Sequence, residues 1–449
     1  MRPGLANALA AALTLVAAVG YAAASIFRHA RFSSNAYDLG IFDQSVWAFS
    51  RLELAMDNTV RVTPTPFIDH FQPALLALAP LYAIHSDPRV LLVVQALLVA
   101  LASLPLYVWA RRELGAAAAL AVQACYLGFW AVLAGVLYDF HDTALGAPVV
   151  ALGLFALLDG RRRLLWASAV AAALVREDLP LTFAAIGVYL ALADRERRRE
   201  GAALAVLSLA YVAVATNVII PALAGSGYEH WSYYPTLGHA LAHPLATLEL
   251  LVTPAAKLTA VFNLFAAWLF LPLASPVVAI AIPGLLERFF SSKPAHWQQG
   301  FHYSLTLAPI LGFATAHALR RFGRRAPILA LALLASGAFF TLYRMKPLDE
   351  LTRYAAAERA AEIRACLATI PGGASVTATS ALVPHLSERR QIRLLDRPRA
   401  PDTRYLAVDT STWIFPLSRA GAGRAVRAAR ATGYRTRCVR GPTVVLERQ

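Results

Sequence analysis

Apolar blocks recur along this chain from residue 5 to about residue 343, and many are long enough to cross a lipid bilayer. The hydrocarbon core of a bilayer is about 30 Å thick, so a helix needs roughly 20 apolar residues to span it. The blocks therefore predict a polytopic α-helical membrane protein. The first block, 5–27, has a weak basic start and is followed by further blocks, so we interpret it as a retained helix and not as a cleaved signal peptide.

Arginine-rich segments separate the apolar blocks. They lie at 111–112, 161–163, 195–199 and 320–325, each at the end or the start of a block. This placement is typical of cytoplasmic loops in membrane proteins. The formal charge of +15 thus indicates topology. Since the basic residues do not form one patch with interleaved aromatic residues, no nucleic-acid partner is predicted.

With these loops in the cytoplasm, the sequence predicts about eleven spans, a cytoplasmic N-terminus and an external C-terminus. The segment 70–86 is short and interrupted by prolines, so we expect a re-entrant or interfacial helix there. The predicted spans are 5–27, 88–110, 115–138, 142–159, 163–176, 179–193, 200–221, 255–273, 276–290, 303–320 and 325–343.

The composition becomes polar and mixed near residue 346. We therefore divide the chain into a transmembrane domain, 1–345, and a small extracytoplasmic α/β domain, 346–449, with helical spacing and short strand patterns. The second domain has no glycine-rich phosphate loop, which argues against a nucleotide site. Cys366 and Cys438 could form a disulfide, but the sequence alone does not decide this.

Most of the unusual polar clusters fall on the predicted outer side of the membrane, whereas the inner loops carry little except arginine. This asymmetry predicts an active or binding face at the outer membrane boundary. The clusters are "YDLGIFDQ" from residue 37, "IDHFQP" from 68, "YDFHDT" from 138, "RED" from 176, "GYEHWSYY" from 227 and "SSKPAHWQQGFHYS" from 291.

The first outer loop, 28–69, contains two acids in an amphipathic segment that we expect to lie along the membrane interface. Ser33, Ser34 or Asn35 could cap this helix. Asp38 and Asp43 are five positions apart, which separates them by about 140° on a helix and disfavours a shared proton. We expect one of them to face a cavity, and the other to cap a helix or face water.

Ionisable residues at membrane depth are costly, and those that occur there usually face a cavity, a partner or a substrate. Structural alternatives exist for some of these residues: Asp69 and Asp142 could cap helices, and Arg176 could pair with Glu177. The candidate binding residues outside the first loop segment are Asp69, His70, Asp139, His141, Arg176, Glu177, Asp178, His302 and Tyr303.

Cations beside a carboxylate suit group transfer from a phosphate-bearing donor. The cations would hold the leaving phosphate, and the carboxylate would take a proton from the acceptor. The acids and histidines could instead bind a divalent metal, although none shows the paired spacing of a zinc-binding helix. The question of a metal cofactor thus stays open at the level of sequence.

Several motifs carry a resemblance to a known family. "YDLGIFDQSVW", "DHFQPALLALAPLYAI", "LYDFHDTALGAPVVALGLFAL", "VREDLPL", "FHYSLTLAPIL" and "SALVPHLSERR" resemble, in this order, the membrane proteins grouped as domain of unknown function DUF2079. That family is similar to the GT-C superfamily of membrane glycosyltransferases, which use polyprenyl-phosphate sugars at the outer face of the membrane. The resemblance implies a GT-C-like fold in a bacterial or archaeal plasma membrane.

The resemblance also implies site residues. In GT-C enzymes the first outer loop carries the acidic catalytic residue, which makes Asp38 the first candidate and Asp43 the second. Two features depart from the superfamily pattern: residues 38–39 read Asp-Leu instead of two acids, and Pro73 does not directly follow His70.

The hypothesis from sequence is an inverting glycosyl transfer to an acceptor hydroxyl on a glycan, lipid or protein. Asp38 would act as base, and Arg176 with His141 or His302 would stabilise the departing lipid phosphate. One alternative is a transporter or flippase for a lipid-linked or anionic solute, which would need polar residues continuing to the inner side. Another is a binding protein without catalytic activity.

Overall fold

The computed structural model describes residues 3–54, 59–60, 65–352 and 355–449. Among these residues, five helices are long and apolar enough to cross a membrane. Shorter apolar helices accompany them, so the predicted helical membrane-type architecture is confirmed, while the number of eleven spans stays a prediction. The five long helices are Gly4–Ala30, Arg89–Leu114, Ala116–Tyr138, Arg198–Ala224 and Ala326–Met345, and the shorter ones are Pro73–Ile84, Thr143–Leu158, Pro180–Ala193 and Ala256–Ala266.

Not all predicted spans are single regular helices. The predicted span 276–290 consists of a 3-10 turn, Pro276–Ala281, followed by the helix Ile282–Phe290. The segment predicted to be re-entrant also begins with a 3-10 turn and is shorter than the long spans. The remaining α-helices are Ile41–Phe49, Arg162–Val175, Leu237–Ala242, Pro244–Glu249, Pro294–Trp297, Leu307–Leu319, Ala357–Leu367 and Arg419–Ala431.

Small residues allow two neighbouring helices to pack closely. Pro180–Ala193 and Arg198–Val214 form an antiparallel pair in which Gly187 faces Gly201. A Cβ atom added to Gly187 would lie 2.6 Å from the backbone oxygen of Gly201. Since a real Cβ does not come so close to backbone, this contact requires glycine, as in other membrane helix pairs with small residues at the interface.

The two ends of the helical bundle differ in chemistry. At one end, arginines pair with acids across the loops: Arg112 lies 2.6 Å from Asp159, and Arg320 lies 2.7 Å from Glu113. The first helix runs from this end to the other, where Arg28 donates a hydrogen bond to the backbone oxygen of Tyr138. The arginine-rich loops thus share one end, as their sequence pattern predicts, and the acids and histidines selected as candidate site residues lie at the opposite end.

A five-stranded sheet follows the membrane-type helices. Its strands are β1 (Val376–Ala378), β2 (Ile392–Leu394), β3 (Tyr405–Asp409), β4 (Tyr434–Arg440) and β5 (Thr443–Arg448). Their order is β2-β1-β3-β5-β4, with β1 parallel to both neighbours and β5 antiparallel to both of its own. A disulfide joins Cys366, on the helix before the sheet, to Cys438 on β4.

The C-terminal sheet region packs on the first loop of the membrane part. The backbone N–H of Ala36 donates to Ser380 Oγ at 3.2 Å, and Gln44 donates to the backbone oxygen of Arg389. Gly40 lies so close to Val383 that a Cβ at this position would be 2.8 Å from the Val383 side chain. The segment 380–390 therefore holds the loop that carries Asp38 and Asp43.

Candidate active site

A cavity of about 1410 Å³ lies between the polar end of the bundle and the C-terminal sheet region. Eight of the eleven candidate residues line this cavity, whereas Asp43, Asp139 and Glu177 do not. The eight lining residues are Asp38, Asp69, His70, His141, Arg176, Asp178, His302 and Tyr303.

Asp38 lies on a π-helical turn, Ala36–Gly40, whose conformation is fixed by hydrogen bonds from outside the turn. Asn35 caps it, since its Oδ1 accepts from the backbone N–H of Tyr37 at 2.9 Å. The Asn35 amide and backbone N–H both donate to Asp139 Oδ2, at 2.8 and 2.9 Å. Asp139 therefore positions the turn that presents Asp38 instead of lining the cavity itself.

His141 connects Asp38 to a buried acid. His141 Nε2 lies 3.2 Å from Asp38 Oδ1, and its Nδ1 lies 2.8 Å from Asp142 Oδ1. Burial by itself would lower the pKa of His141, but Asp142 and Asp38 raise the pKa above its usual range. Asp142 stands at the start of the helix Thr143–Leu158, yet its side chain makes no capping hydrogen bond there.

His302 stacks on His141, with ring centroids 3.2 Å apart. Its side chain is only 2% exposed, and neither ring nitrogen has a hydrogen-bond partner within the described residues. Burial and the nearby charge of His141 lower the pKa of His302 well below its usual range. His302 is therefore neutral at physiological pH and presents an unpartnered nitrogen lone pair.

Arg176 is held by two acids. Its guanidinium binds Asp178 with two hydrogen bonds, at 2.6 and 2.5 Å, and lies 3.4 Å from Asp142. Burial opposes ionisation of Asp178, but Arg176 holds the pKa of that carboxyl below its usual range. Arg176 thus pairs with Asp178 and Asp142, and not with its neighbour Glu177 as the sequence alternative suggested.

Glu177 is fully buried and orients His70. Its Oε1 lies 2.6 Å from His70 Nδ1 and accepts from the Tyr228 hydroxyl at 2.6 Å, while its Oε2 accepts from the Phe71 backbone N–H. Burial alone would lower the pKa of His70, but Glu177 raises the pKa to about 9. His70 is therefore a cation at the cavity wall.

Asp69 does not cap the turn that follows it, Pro73–Leu78, because Gln72 occupies the N-cap position there. Its Oδ1 lies 3.1 Å from His230 Nε2, and the His230 ring stacks on that of His70.

Asp43 is buried away from the cavity, between the membrane part and the sheet region. Its carboxyl is hydrogen-bonded to the Tyr82 hydroxyl at 2.5 Å and to Ser387 Oγ at 2.6 Å. Complete burial raises the pKa of Asp43 to about 8. Asp43 neither caps a helix nor faces water, in contrast to the expectation from sequence, and its position is that of an interface residue.

Several cavity residues were not identified from the sequence. Glu287 lines the cavity and is hydrogen-bonded to Asp178, and the Tyr138 hydroxyl is hydrogen-bonded to Asp38. His230 and Arg288 also line the cavity. Glu287 carried a detectable signal, because an acid within the apolar block "GLLERFF" is as unusual as the acids that were selected.

Two groups of side chains among the described residues have the donor atoms and spacing to hold a metal ion. One consists of Asp38, His141 and His302, and the other of Asp69, His70 and His230. In each group the ligand atoms lie within 4.8 Å of one another. Each also contains a histidine whose other nitrogen is bound by a carboxylate, an arrangement common in metal sites.

The structure of ArnT from Cupriavidus metallidurans in the apo state, a GT-C glycosyltransferase, has a similar fold. The TM-score is 0.57 at 12% sequence identity, and the likeness covers 98% of each chain. This likeness establishes the type of fold. No curated protein matches the sequence. The model of the family described as predicted membrane protein DUF2079 matches residues 28–418, and the chain therefore belongs to the DUF2079 family.

Proposed function

We propose that the protein is a GT-C-type glycosyltransferase that moves a sugar from a polyprenyl-phosphate carrier to an acceptor hydroxyl. The observation that carries this proposal is a cavity with two kinds of wall. One wall presents Asp38 with buried cations, and the other is formed by apolar residues of the membrane helices. A lipid-linked sugar phosphate needs both kinds of wall. The likeness to a GT-C fold supports the proposal.

The apolar wall suits the lipid part of the donor. Leu181, Val212 and Leu307 come from three helices and line the cavity together with Pro283 and Leu286. Apolar side chains at membrane depth allow an isoprenoid chain to enter from the bilayer without exposure to water. The carrier would thus reach the polar wall from the lipid side.

The polar wall suits the donor phosphate. Arg176 and Arg288 both line the cavity, and Nη2 of Arg288 is buried without a hydrogen-bond partner in the described part of the chain. Arg288 is held in place because it donates to the backbone oxygen of His296 and to Ser304. A guanidinium fixed in this way can neutralise a phosphate that departs with its charge.

In the proposed reaction Asp38 takes the proton from the acceptor hydroxyl. The acceptor oxygen attacks the anomeric carbon from the face opposite the phosphate, so the new glycosidic bond forms as the bond to the phosphate oxygen breaks. The configuration is inverted, the proton ends on Asp38, and the lipid phosphate leaves as an anion. His141 orients the Asp38 carboxylate at 3.2 Å.

This assignment changes the roles expected for the histidines. The sequence hypothesis placed His141 or His302 at the leaving phosphate. Because His141 contacts Asp38 and His302 is neutral, we assign the phosphate to Arg176 and Arg288 instead.

The C-terminal region contributes to the acceptor side of the cavity. Trp413 and Phe415 lie beyond β3, line the cavity and remain 45% and 52% exposed. The Phe415 ring packs near Tyr37, which neighbours Asp38. Exposed aromatic rings can stack on sugars or other flat groups, so we propose that residues 346–449 form a domain that contacts the acceptor next to the base.

We propose that the arginine-rich end of the bundle faces the cytoplasm and that the cavity lies at the outer face of a bacterial or archaeal plasma membrane. The disulfide between Cys366 and Cys438 supports this orientation, because such bonds persist in oxidising compartments. The sheet region would then be extracytoplasmic.

A divalent metal also fits the donor atoms of Asp38, His141 and His302, since carboxylates and imidazoles are common ligands for zinc and related ions. Such a metal would engage the carboxylate that we assign as the base. The mechanism proposed above uses only cations of the chain. The need for a metal is tested separately, by removing metal ions with a chelator.

A transporter would need polar groups that continue from the cavity to the arginine-rich end. Three buried polar residues deeper in the bundle are instead hydrogen-bonded to one another, namely Thr14, Ser103 and Gln123. This favours transfer at one face over transport.

The test is incubation of the purified protein in lipid with a panel of radiolabelled polyprenyl-phosphate sugars and a lipid and glycan extract as acceptor. The proposal predicts loss of label from the carrier. Saturable donor binding without any turnover would instead favour a binding protein or a carrier.

A further inference from the structure

A second cavity, of about 380 Å³, lies next to the proposed active site. Tyr138 lines both cavities. On one side the second cavity is bounded by Arg28, near the end of the first helix, and on the other by the segment 344–349 that follows the last long apolar helix. None of these residues has a role in the proposed reaction.

The lining of this cavity is strongly cationic. Arg28, Arg344 and Lys346 face one acid, Asp349. Arg28 is only 6% exposed and donates to the backbone oxygens of Tyr138 and Ser33. Its charge also acts on Asp139, where it opposes the rise in pKa that burial causes, but its Nε has no hydrogen-bond partner among the described residues.

The side chains of Arg344 and Lys346 are exposed and form no ion pair or hydrogen bond within the described ranges. The lining thus carries three cations against one acid, and this excess of positive charge attracts an anionic ligand.

The approach to the cavity is apolar. The helix Ala326–Phe339 and the turn after it expose Leu331, Phe339, Leu342 and Tyr343 to the surroundings, by 53% or more of each side chain. The Phe339 and Tyr343 rings stack on the same face. In a membrane this surface contacts lipid chains, and it ends directly before Arg344.

We propose that the second cavity binds the phosphate of an anionic membrane lipid. Arg344 and Lys346 contact the phosphate, Arg28 adds the buried positive charge, and the acyl chains follow the exposed apolar surface of the last helix. The volume accommodates a lipid headgroup in addition to the phosphate, and basic residues at the membrane boundary attract such lipids. This site is separate from the proposed donor site and does not depend on the proposed reaction.

The experiment measures lipid binding to the purified full-length protein in mild detergent by native mass spectrometry. Short-chain phosphatidylglycerol is compared with phosphatidylcholine for the wild type and for the double variant Arg344→Ala/Lys346→Ala. The matched control is Arg424→Ala/Arg427→Ala, which removes two exposed arginines from a helix of the sheet region. We expect the first double variant to lose at least tenfold in affinity for phosphatidylglycerol, and the control to match the wild type.

A third variant, Arg344→Lys, preserves the charge and should bind phosphatidylglycerol like the wild type, which separates loss of charge from misfolding. Equal binding of both lipids by the wild type would overturn the proposal, as would unchanged binding by the first double variant. A further arm adds inorganic phosphate at millimolar concentration. Displacement of the lipid by phosphate alone would show a site for free phosphate and would also overturn the proposal, whereas resistance to it supports a lipid ligand.

Discussion

The Asp38 carboxylate lies 3.2 Å from Nε2 of His141, although the two residues belong to different loops. The loops are joined beside this contact, since Asn35 donates two hydrogen bonds to Asp139. The amide of Gln95 further fixes the second loop by donating to the Asp139 backbone oxygen at 2.8 Å. The proposed base is therefore positioned by buried hydrogen bonds between loops rather than by the helical turn alone.

The hydrogen bonds between the two loops predict a positioning role for Asn35. The substitution Asn35→Ala removes the cap of the turn and its side-chain bond to Asp139, so Asp38 loses its fixed orientation. We expect kcat for transfer to fall by about 10- to 100-fold, because small misplacements of a catalytic group are costly. KM for the donor should remain within about twofold, since the apolar wall and Arg288 are unchanged.

Measuring kcat and KM separately distinguishes this role from a general loss of structure. The control Asn217→Ala removes an amide of the same size that is exposed and bonded only locally. A rise in KM with unchanged kcat would contradict the positioning role of Asn35.

The buried carboxyl of Asp43 leads us to predict that the free energy of unfolding depends on pH. Its pKa in the folded protein is about 8, against an ordinary value of 3.8, so the folded state holds a proton that the unfolded state releases. The stabilisation is therefore complete below about pH 4 and is lost as the pH rises through about 8. The difference between the two pKa values corresponds to on the order of 6 kcal/mol of unfolding free energy. Tyr82, Glu388 and Asp87 are the other titratable groups near this carboxyl.

The measurement is the apparent thermal midpoint of the purified protein between pH 5 and pH 9. The wild type should lose stability across this range, and Asp43→Asn should lose much less, because an amide keeps the hydrogen-bonding shape without titrating. The other titratable groups contribute to the pH dependence of both proteins, so their contribution cancels when the two thermal midpoints are compared. If the thermal midpoints of the two proteins changed with pH in parallel, Asp43 would be excluded as the source of the pH dependence.

The sequence predicted the helical membrane character, the common end of the arginine-rich loops and the small C-terminal sheet, because these follow from local composition and periodicity. It also selected eight residues that the structure places around one cavity. A charged residue within an apolar block is a local signal, so it can be recognised from the sequence alone.

The location of Asp43 could not be predicted in this way. Its burial depends on Ser387, which is contributed by the distant C-terminal region. The stacking of His302 on His141 and the bond between Glu287 and Asp178 likewise join segments far apart in the chain. Such pairs depend on how helices assemble, and one sequence contains no direct signal for them.

The contact between Gly187 and Gly201 predicts a large effect of a small substitution. Gly187→Ala places a methyl group against backbone that cannot move without separating the two helices. We expect destabilisation of about 1–3 kcal/mol, as for overpacked cores, seen as a lower thermal midpoint. Gly20→Ala is the matched control, since a Cβ there meets nothing within 4 Å. Equal midpoints for both variants would show that the helices are not closely packed.

The proposed reaction uses cations of the chain, which predicts that transfer persists after metal removal. Dialysis against EDTA and 1,10-phenanthroline should leave the rate within about twofold, because Arg176 and Arg288 remain available to the phosphate. Loss of activity that zinc or magnesium restores would contradict this. Measuring metal binding by His302→Ala and His230→Ala would then identify which of the two ligand groups is used.

The most direct test of the proposed function compares two substitutions of acid by amide on the same loop. Asp38→Asn removes the proposed base at the cavity, whereas Asp43→Asn changes an acid that lies outside it. Transfer of radiolabelled sugar from the polyprenyl phosphate is measured for both variants and the wild type at pH 7, with thermal midpoints to verify folding. We predict that Asp38→Asn binds the donor but loses at least 10²-fold in transfer rate, and that Asp43→Asn retains most of it. Undiminished transfer by a folded Asp38→Asn protein would contradict the central claim.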